Sequence, residues 1–192
     1  MVHQGPIYFH FAPLIFLFPS SYIIHAGINF AVGKPTQQSS TVQNGLSSNA
    51  VDGYKNPYYA ENSCVQTSRQ HEPWWMVDLE QEVFVTSVRI TNRKDCCWEN
   101  LANFNIKVGS NLMYGGTSNS MCAPTYKENV GAGKTQIFVC LLPMLGRYVT
   151  VAITGAGGVL NFCELEVYGY RRKFVVCFVL VFFFCRRTNG SV

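Results

Sequence analysis

From Met76 to Thr91, in MVDLEQEVFVTSVRIT, apolar residues alternate with polar ones: Val77 and Leu79, then Val83 and Val85, then Val88 and Ile90. A pleated strand turns successive side chains to opposite faces, so this spacing predicts a strand with one face buried. FNIKVG (104–109), TQIFVCLL (135–142), RYVTVAIT (147–154) and LNFCELEVYGY (160–170) read in the same way. All are rich in β-branched and aromatic residues, and Gly, Asn, Ser and Pro separate them. No long stretch of the body carries a helical period. Short strands at such spacing predict an all-β sandwich or barrel.

Three segments break the pattern. SSNAVDGYKNPYYAENSC (47–64) is turn chemistry throughout, with Asp52 and Glu61 among amides, hydroxyls and main-chain carbonyls. Loops this long in compact domains are commonly functional, and oxygen-rich composition suits a hard cation. An ordinary polar loop is the competing reading. Residues 1–27 are apolar like a secretory leader, although Pro13 and Pro19 interrupt them and no Lys or Arg precedes them. Residues 171–192 hold FVVCFVLVFFFC between basic clusters, an apolar run shorter than the ~20 residues a spanning helix needs. Residues 28–170 are therefore expected to be the domain, with both ends outside it. Membrane association is expected only if the tail anchors.

Charge changes the picture once it is divided along the chain. The overall +4 hides a body with ten Lys/Arg against eleven Asp/Glu between Ile28 and Tyr170, a net charge of 10 − 11 = −1. The other five basic residues lie at 171–173, 186 and 187. No basic face is left for nucleic acid. Eight cysteines without a C-x-x-C or a Cys/His zinc pattern point to an oxidised, secreted protein. Cys177 and Cys185 fall in the tail, and the remaining six allow 15 connectivities.

Catalytic signatures are absent. Three of the four histidines (His3, His10, His25) lie in the leader, which leaves His71, and there is no G-x-S-x-G, P-loop, GxGxxG or HExxH. A pair of convergent carboxylates would serve glycoside hydrolysis, but nothing selects a pair. PWWMVDL (73–79) reads as one tryptophan facing the core and the other capping a sheet edge. In RKDCCWEN (93–100), Cys96 and Cys97 are adjacent. Neighbouring Cα atoms are about 3.8 Å apart and ordinary disulfides prefer roughly 4.4–6.8 Å, so spacing favours separate partners without deciding the matter.

The motifs converge on a family. NFAVGKPTQQSS (29–40), NAVDG (49–53), SC-x-x-T (63–67), PWWMVDL, TNRKDCC (91–97), KVGS (107–110) and LNFCELEVYG (160–169) resemble, in order and spacing, the fucose-binding F-type lectins. The pairing of TNRxDCC with PWWxVDL is the specific part. Discoidin-type sandwiches share the tryptophans but not that turn.

The resemblance implies a jelly-roll β-sandwich of the discoidin or galactose-binding kind, secreted, calcium-dependent and not an enzyme. It implies disulfides Cys64–Cys163, Cys96–Cys97 and Cys122–Cys140, the adjacent pair forming an apolar knuckle against a sugar. Fucosylated glycans are the expected ligands, in innate defence, and homotrimers are common in the family.

Arg93 and Asp95 match the family's sugar anchors, and Tyr59 joins them as a site residue. Gln66 stands where a histidine is usual and Asn100 where a second basic residue is usual, so altered or weakened specificity is expected. The alternative is a non-lectin interaction module with a degenerate sugar site. Calcium would be held by Asn49, Asp52, Tyr54, Ser63, Cys163 and Glu164, through side chains and main-chain carbonyls.

Overall fold

The computed structural model describes residues 27–155 and 157–171, and the backbone alone of Val175–Val179 and Phe183–Arg187. The leader and the side chains of the tail, with its expected membrane role, lie outside the described residues.

The body is all-β and antiparallel. Its strands are β1 (Thr36–Gln38), β2 (Val65–Gln66), β3 (Trp74–Thr91), β4 (Ala102–Gly109), β5 (Ser120–Met121), β6 (Tyr126–Asn129), β7 (Thr135–Ile153), β8 (Asn161–Phe162) and β9 (Glu164–Tyr170). They hydrogen-bond in the order β1-β3-β7-β4-β5, with β9 on β3 and β6 on β4, while β2 and β8 form a separate ribbon. β10 (Val175–Val179) and β11 (Phe183–Arg187) form an antiparallel pair in a second unit.

The alternation seen in the sequence is the core itself. Val77, Leu79, Val83, Val85, Val88 and Ile90 are all buried, each stabilising the fold by about 1.5–3 kcal/mol. The pattern changes phase between Val85 and Val88 because the pairing register shifts between Val85 and Ser87. A β-bulge carries the inward face from odd to even positions.

One expectation about the strands needs correcting. The runs 135–142 and 147–154 are one strand, β7, because Val139 pairs with Ser87 and Met144 with Val85. The extra residues on β7, Pro143 included, fall where the register with β3 shifts. As expected, the 47–64 segment contains no strand; it holds 3₁₀ turns at Ser47–Val51 and Tyr59–Glu61.

One of the paired tryptophans faces the core, as the sequence implied, but the other sits on the interior strand β3 and caps no sheet edge. Trp75 is fully buried, donates from Nε1 to the Ser47 carbonyl at 2.9 Å and meets Phe162 edge-on at 5.2 Å. Trp74 is half-buried and lies against Gly115. Through Trp75 the core holds the start of the long loop and the β8–β9 corner together.

Candidate functional site

Two clusters form on either side of that corner. The six body cysteines pair as Cys64–Cys163, Cys96–Cys97 and Cys122–Cys140. The first bridge spans 99 residues of sequence; constraining a loop of that size disfavours the unfolded chain by about 3–5 kcal/mol on a chain-entropy account. It fastens the end of the long loop to the break between β8 and β9. Cys97 lies in the left-handed region, φ 59° and ψ 20°, and both knuckle cysteines are exposed.

The first cluster surrounds Arg93. Arg93 is only 7 % exposed, and its guanidinium is held on three sides. Nε donates to Asp95 Oδ1 at 2.7 Å and Nη2 to Asp95 Oδ2 at 2.9 Å, a two-pronged contact. Nη1 donates to Gln66 Oε1 at 2.9 Å. The Tyr59 ring lies beneath, 4.2 Å from the guanidinium carbon, so cation–π attraction adds to the brace. Three of the five N–H groups are used in this way, which leaves one hydrogen on each Nη atom.

Backbone contacts fix the cluster. Arg93 N donates to Asn92 Oδ1, Lys94 N to the Pro57 carbonyl, and Tyr59 OH to the Val42 carbonyl. Gln66 is set by the close approach of Gly45, where a Cβ would stand 2.6 Å from Gln66 N; only glycine fits there. The hydrogen bonds from Arg93 to Asp95, helped by the Tyr59 amide, hold the Asp95 carboxyl below its ordinary 3.8 despite some desolvation.

The structure therefore brings Tyr59, Gln66, Arg93 and Asp95 together beside the Cys96–Cys97 knuckle. Gln66 is an acceptor here, with its amide nitrogen left over. Asn100 is not in contact with Arg93; it lines a separate cleft on the other side of Cys97. His71 is exposed, 3.9 Å from Glu72, and joins neither group.

The second cluster centres on Glu164. It is 1 % exposed, and neither carboxylate oxygen has a hydrogen-bond partner among the described residues. Burial pushes its pKa up to about 8, and the negative charges of Asp52 and Glu166 add to the shift. The Gly53 amide and Lys55 oppose the shift only in part, the amide without completing a bond of normal geometry. Lys55 pairs instead with Glu166 at 2.8 Å.

Of the other expected cation ligands, Asp52 is near enough for its charge to act on Glu164. Asp52 Oδ1 accepts from Tyr54 N at 2.7 Å. Ser63, buried, sends its hydroxyl to the Asn56 and Tyr58 carbonyls at 2.6 and 3.0 Å, so its oxygen retains lone pairs. The Asn49 side chain donates to the Asn44 and Cys64 carbonyls, at 2.8 and 3.1 Å. Among the described residues no three His, Cys, Asp or Glu side chains converge for a metal. Two carboxylates with hydroxyl and carbonyl oxygens are the donor set of a hard cation. A buried carboxylate with two unpartnered oxygens fits such an ion, since otherwise it is neutral or costly.

Sequence reasoning gave no account of how Tyr59 reaches Arg93.

Comparison with known proteins bears on the family and the fold. The family model described as NedA-like, galactose-binding domain matches residues 49–151. A fucolectin of Anguilla anguilla is 39% identical over 144 residues, covering 72% of this chain and 89% of the relative. An F-lectin (fucolectin) from striped bass (Morone saxatilis) serum superposes with a TM-score of 0.70 at 38% identity, over 74% of this chain and 49% of that one. A fucose binding module of Streptococcus pneumoniae gives 0.63 at 30% identity, over 75% and 99%. This chain thus spans about half of the striped bass protein. All three relatives are lectins or binding modules by name, and the chain is a binding protein rather than an enzyme. With its NedA-like domain and its fucolectin relatives, the chain belongs to the F-type lectin family.

Proposed function

We propose that the chain is a secreted, calcium-stabilised lectin that binds fucosylated glycans at the Arg93 ledge. One observation carries the reading: a nearly buried guanidinium, braced by Asp95, Gln66 and Tyr59, lies beside an exposed disulfide knuckle. A 6-deoxy sugar has a hydroxyl edge and an edge carrying a methyl group. The remaining N–H groups of Arg93 suit the hydroxyls, because charge-assisted hydrogen bonds are about twice as strong as neutral ones. The Cys96–Cys97 knuckle suits the methyl edge. Asp95 aims the guanidinium and never touches the sugar in this scheme. The fucolectin relatives and the fucose binding module support the ligand class.

Specificity is altered relative to the family pattern. Gln66 spends its carbonyl on Arg93 and offers a neutral amide outward, and Asn100 supplies no charge. Each lost charge assistance weakens binding by about 1–2 kcal/mol where no other donor replaces it.

Calcium, bound by Asp52 and Glu164 with oxygens of Asn49, Tyr54, Ser63 and Cys163, would neutralise the buried acid. Its role is structural. It pins the long loop that carries Tyr59, and so fixes the underside of Arg93. The serum origin named for the striped bass lectin accords with an extracellular role, and glycan recognition outside the cell suits innate defence. Homotrimers accord with the family resemblance.

A glycan array probed with the full chain in calcium tests the reading. Signal confined to glycans bearing fucose or a similar deoxy sugar is the expected result. An empty array from a protein that calcium still stabilises would favour a non-lectin interaction module.

A further inference from the structure

The first part of β7 is an open sheet edge. Residues 135–139 are paired with β3 on one side, and β4 joins β7 only at 148–153. One bond fixes which way the main chain points: the Lys134 carbonyl accepts from Asn92 N, on the β3 side, at 2.8 Å. In an antiparallel ladder the N–H and C=O of one residue point the same way, and the sense alternates along the strand. Lys134, Gln136 and Phe138 therefore face β3, while Thr135, Ile137 and Val139 face away from it. Leu141 keeps the same alternation, and its N–H donates outward to the Cys122 carbonyl at 2.9 Å.

Among the described residues, the N–H and C=O groups of Thr135, Ile137 and Val139 have no main-chain partner. The Ile137 carbonyl accepts from a side chain, that of the adjacent Gln136, at 3.2 Å. Open edges are ordinarily blunted by charge, proline or a bulge. Lys134 and Pro143 bound this one, but no charged residue lies between Thr135 and Gly146. Ile137, Val139, Leu141, Leu142 and Leu145 are instead 47–78 % exposed. Clustered apolar exposure of this kind marks an interaction surface.

We propose that a second copy of this chain closes the edge, the two β7 strands pairing antiparallel about a two-fold axis at Ile137. In that register Ile137 meets its own mate and Thr135 meets Val139, so every open group on the three residues is bonded. Moving the axis by one residue towards Val139 would set Thr135 against Leu141, whose N–H is already taken by Cys122. Residues directly opposite one another share a face, so the exposed isoleucines pack side by side. No like charges oppose each other across the joint. A foreign partner would need its own uncharged free edge, whereas a second copy supplies one by symmetry.

The joint starts beside the Arg93 turn, since Gly133 N donates to the Arg93 carbonyl at 3.1 Å. Pairing therefore fixes two Arg93 turns in one body, and a dimer of this kind is bivalent for clustered glycans. Bivalency rests on the reading of the Arg93 ledge as the sugar site; the pairing itself does not. The two-fold joint is also separate from the three-fold contact expected from the family resemblance. The two contacts together would close an assembly of six.

The test is sedimentation equilibrium of the full chain in calcium, for the unaltered protein, Ile137→Lys, Ile137→Glu and an equal mixture of the two variants. Two copies, or six, are expected for the unaltered protein. Either variant alone should raise the midpoint of dissociation at least about tenfold, because residue 137 then sets like charges directly opposite. The mixture should recover the pairing, since Lys meets Glu across the axis. Ile137 is half-exposed, and unchanged thermal midpoints would show both variants folded. Self-association that survives in both variants, or a mixture of folded variants that stays apart, overturns the proposal. So does an unaltered protein that is monomeric, which would leave the edge to an extended peptide of another protein.

Discussion

The Arg93 and Glu164 clusters lie on opposite sides of the β8–β9 corner and treat charge in opposite ways. Arg93 is nearly buried yet satisfied, since Asp95, Gln66 and Tyr59 meet it from three sides. Glu164 is fully buried and unsatisfied, with two bare oxygens and acids as neighbours. A satisfied buried charge is preorganised: its geometry is set before any ligand arrives. An unsatisfied one is incomplete and draws in a proton or a cation. The first arrangement suits recognition at a surface, the second retention of an ion in the structure.

Breaking the Glu164 side should give the largest effect. At calcium about a hundredfold above its Kd, binding to the native state adds about 2.7 kcal/mol, or roughly 5–10 °C in thermal midpoint for a chain of this size. Glu164→Gln should abolish that gain without lowering the midpoint measured in chelator. Scanning calorimetry of both proteins, with calcium and with EDTA, checks it; an equal calcium shift in the variant would place the ion elsewhere.

On the Arg93 side, replacing Cys96 and Cys97 together by serine should weaken fucose binding by about 1 kcal/mol, roughly fivefold, through lost apolar contact. The midpoint should barely move, because a bridge between neighbours closes no loop. Titration and a melting curve on the same sample separate these.

The smallest effect concerns acid. Asp95 is held below its ordinary 3.8, so its brace on Arg93 is intact above that value and is lost as pH falls through the depressed one. At saturating calcium, fucose affinity measured from pH 7 down to about 4 should show no step from Asp95. A titration centred near pH 5 in Asp95-intact protein, absent in Asp95→Asn, would contradict the brace.

The strands were legible because burial on one face writes itself as alternation. Even the phase change between Val85 and Val88 was visible, and only its cause, the bulge, was not. β7 was misread as two strands because Pro143 and Gly146 look like punctuation; tertiary pairing with β3 carries the strand through them. At the site, Arg93, Asp95 and the cysteines share a single turn and so could be found by motif. Tyr59 and Gln66 reach Arg93 from 34 and 27 positions away in sequence, a convergence that only the fold supplies. Asn100 shows the reverse: it is near Arg93 in sequence, yet faces another cleft.

The most direct test of the Arg93 ledge is titration of the full chain with L-fucose in saturating calcium, beside Arg93→Ala and, as a control outside the cluster, His71→Ala. Saturable binding in the unaltered protein and in His71→Ala, lost in Arg93→Ala with the fold retained, is the expected result. Fucose binding that survives Arg93→Ala, or no binding by a protein that calcium stabilises, would contradict it.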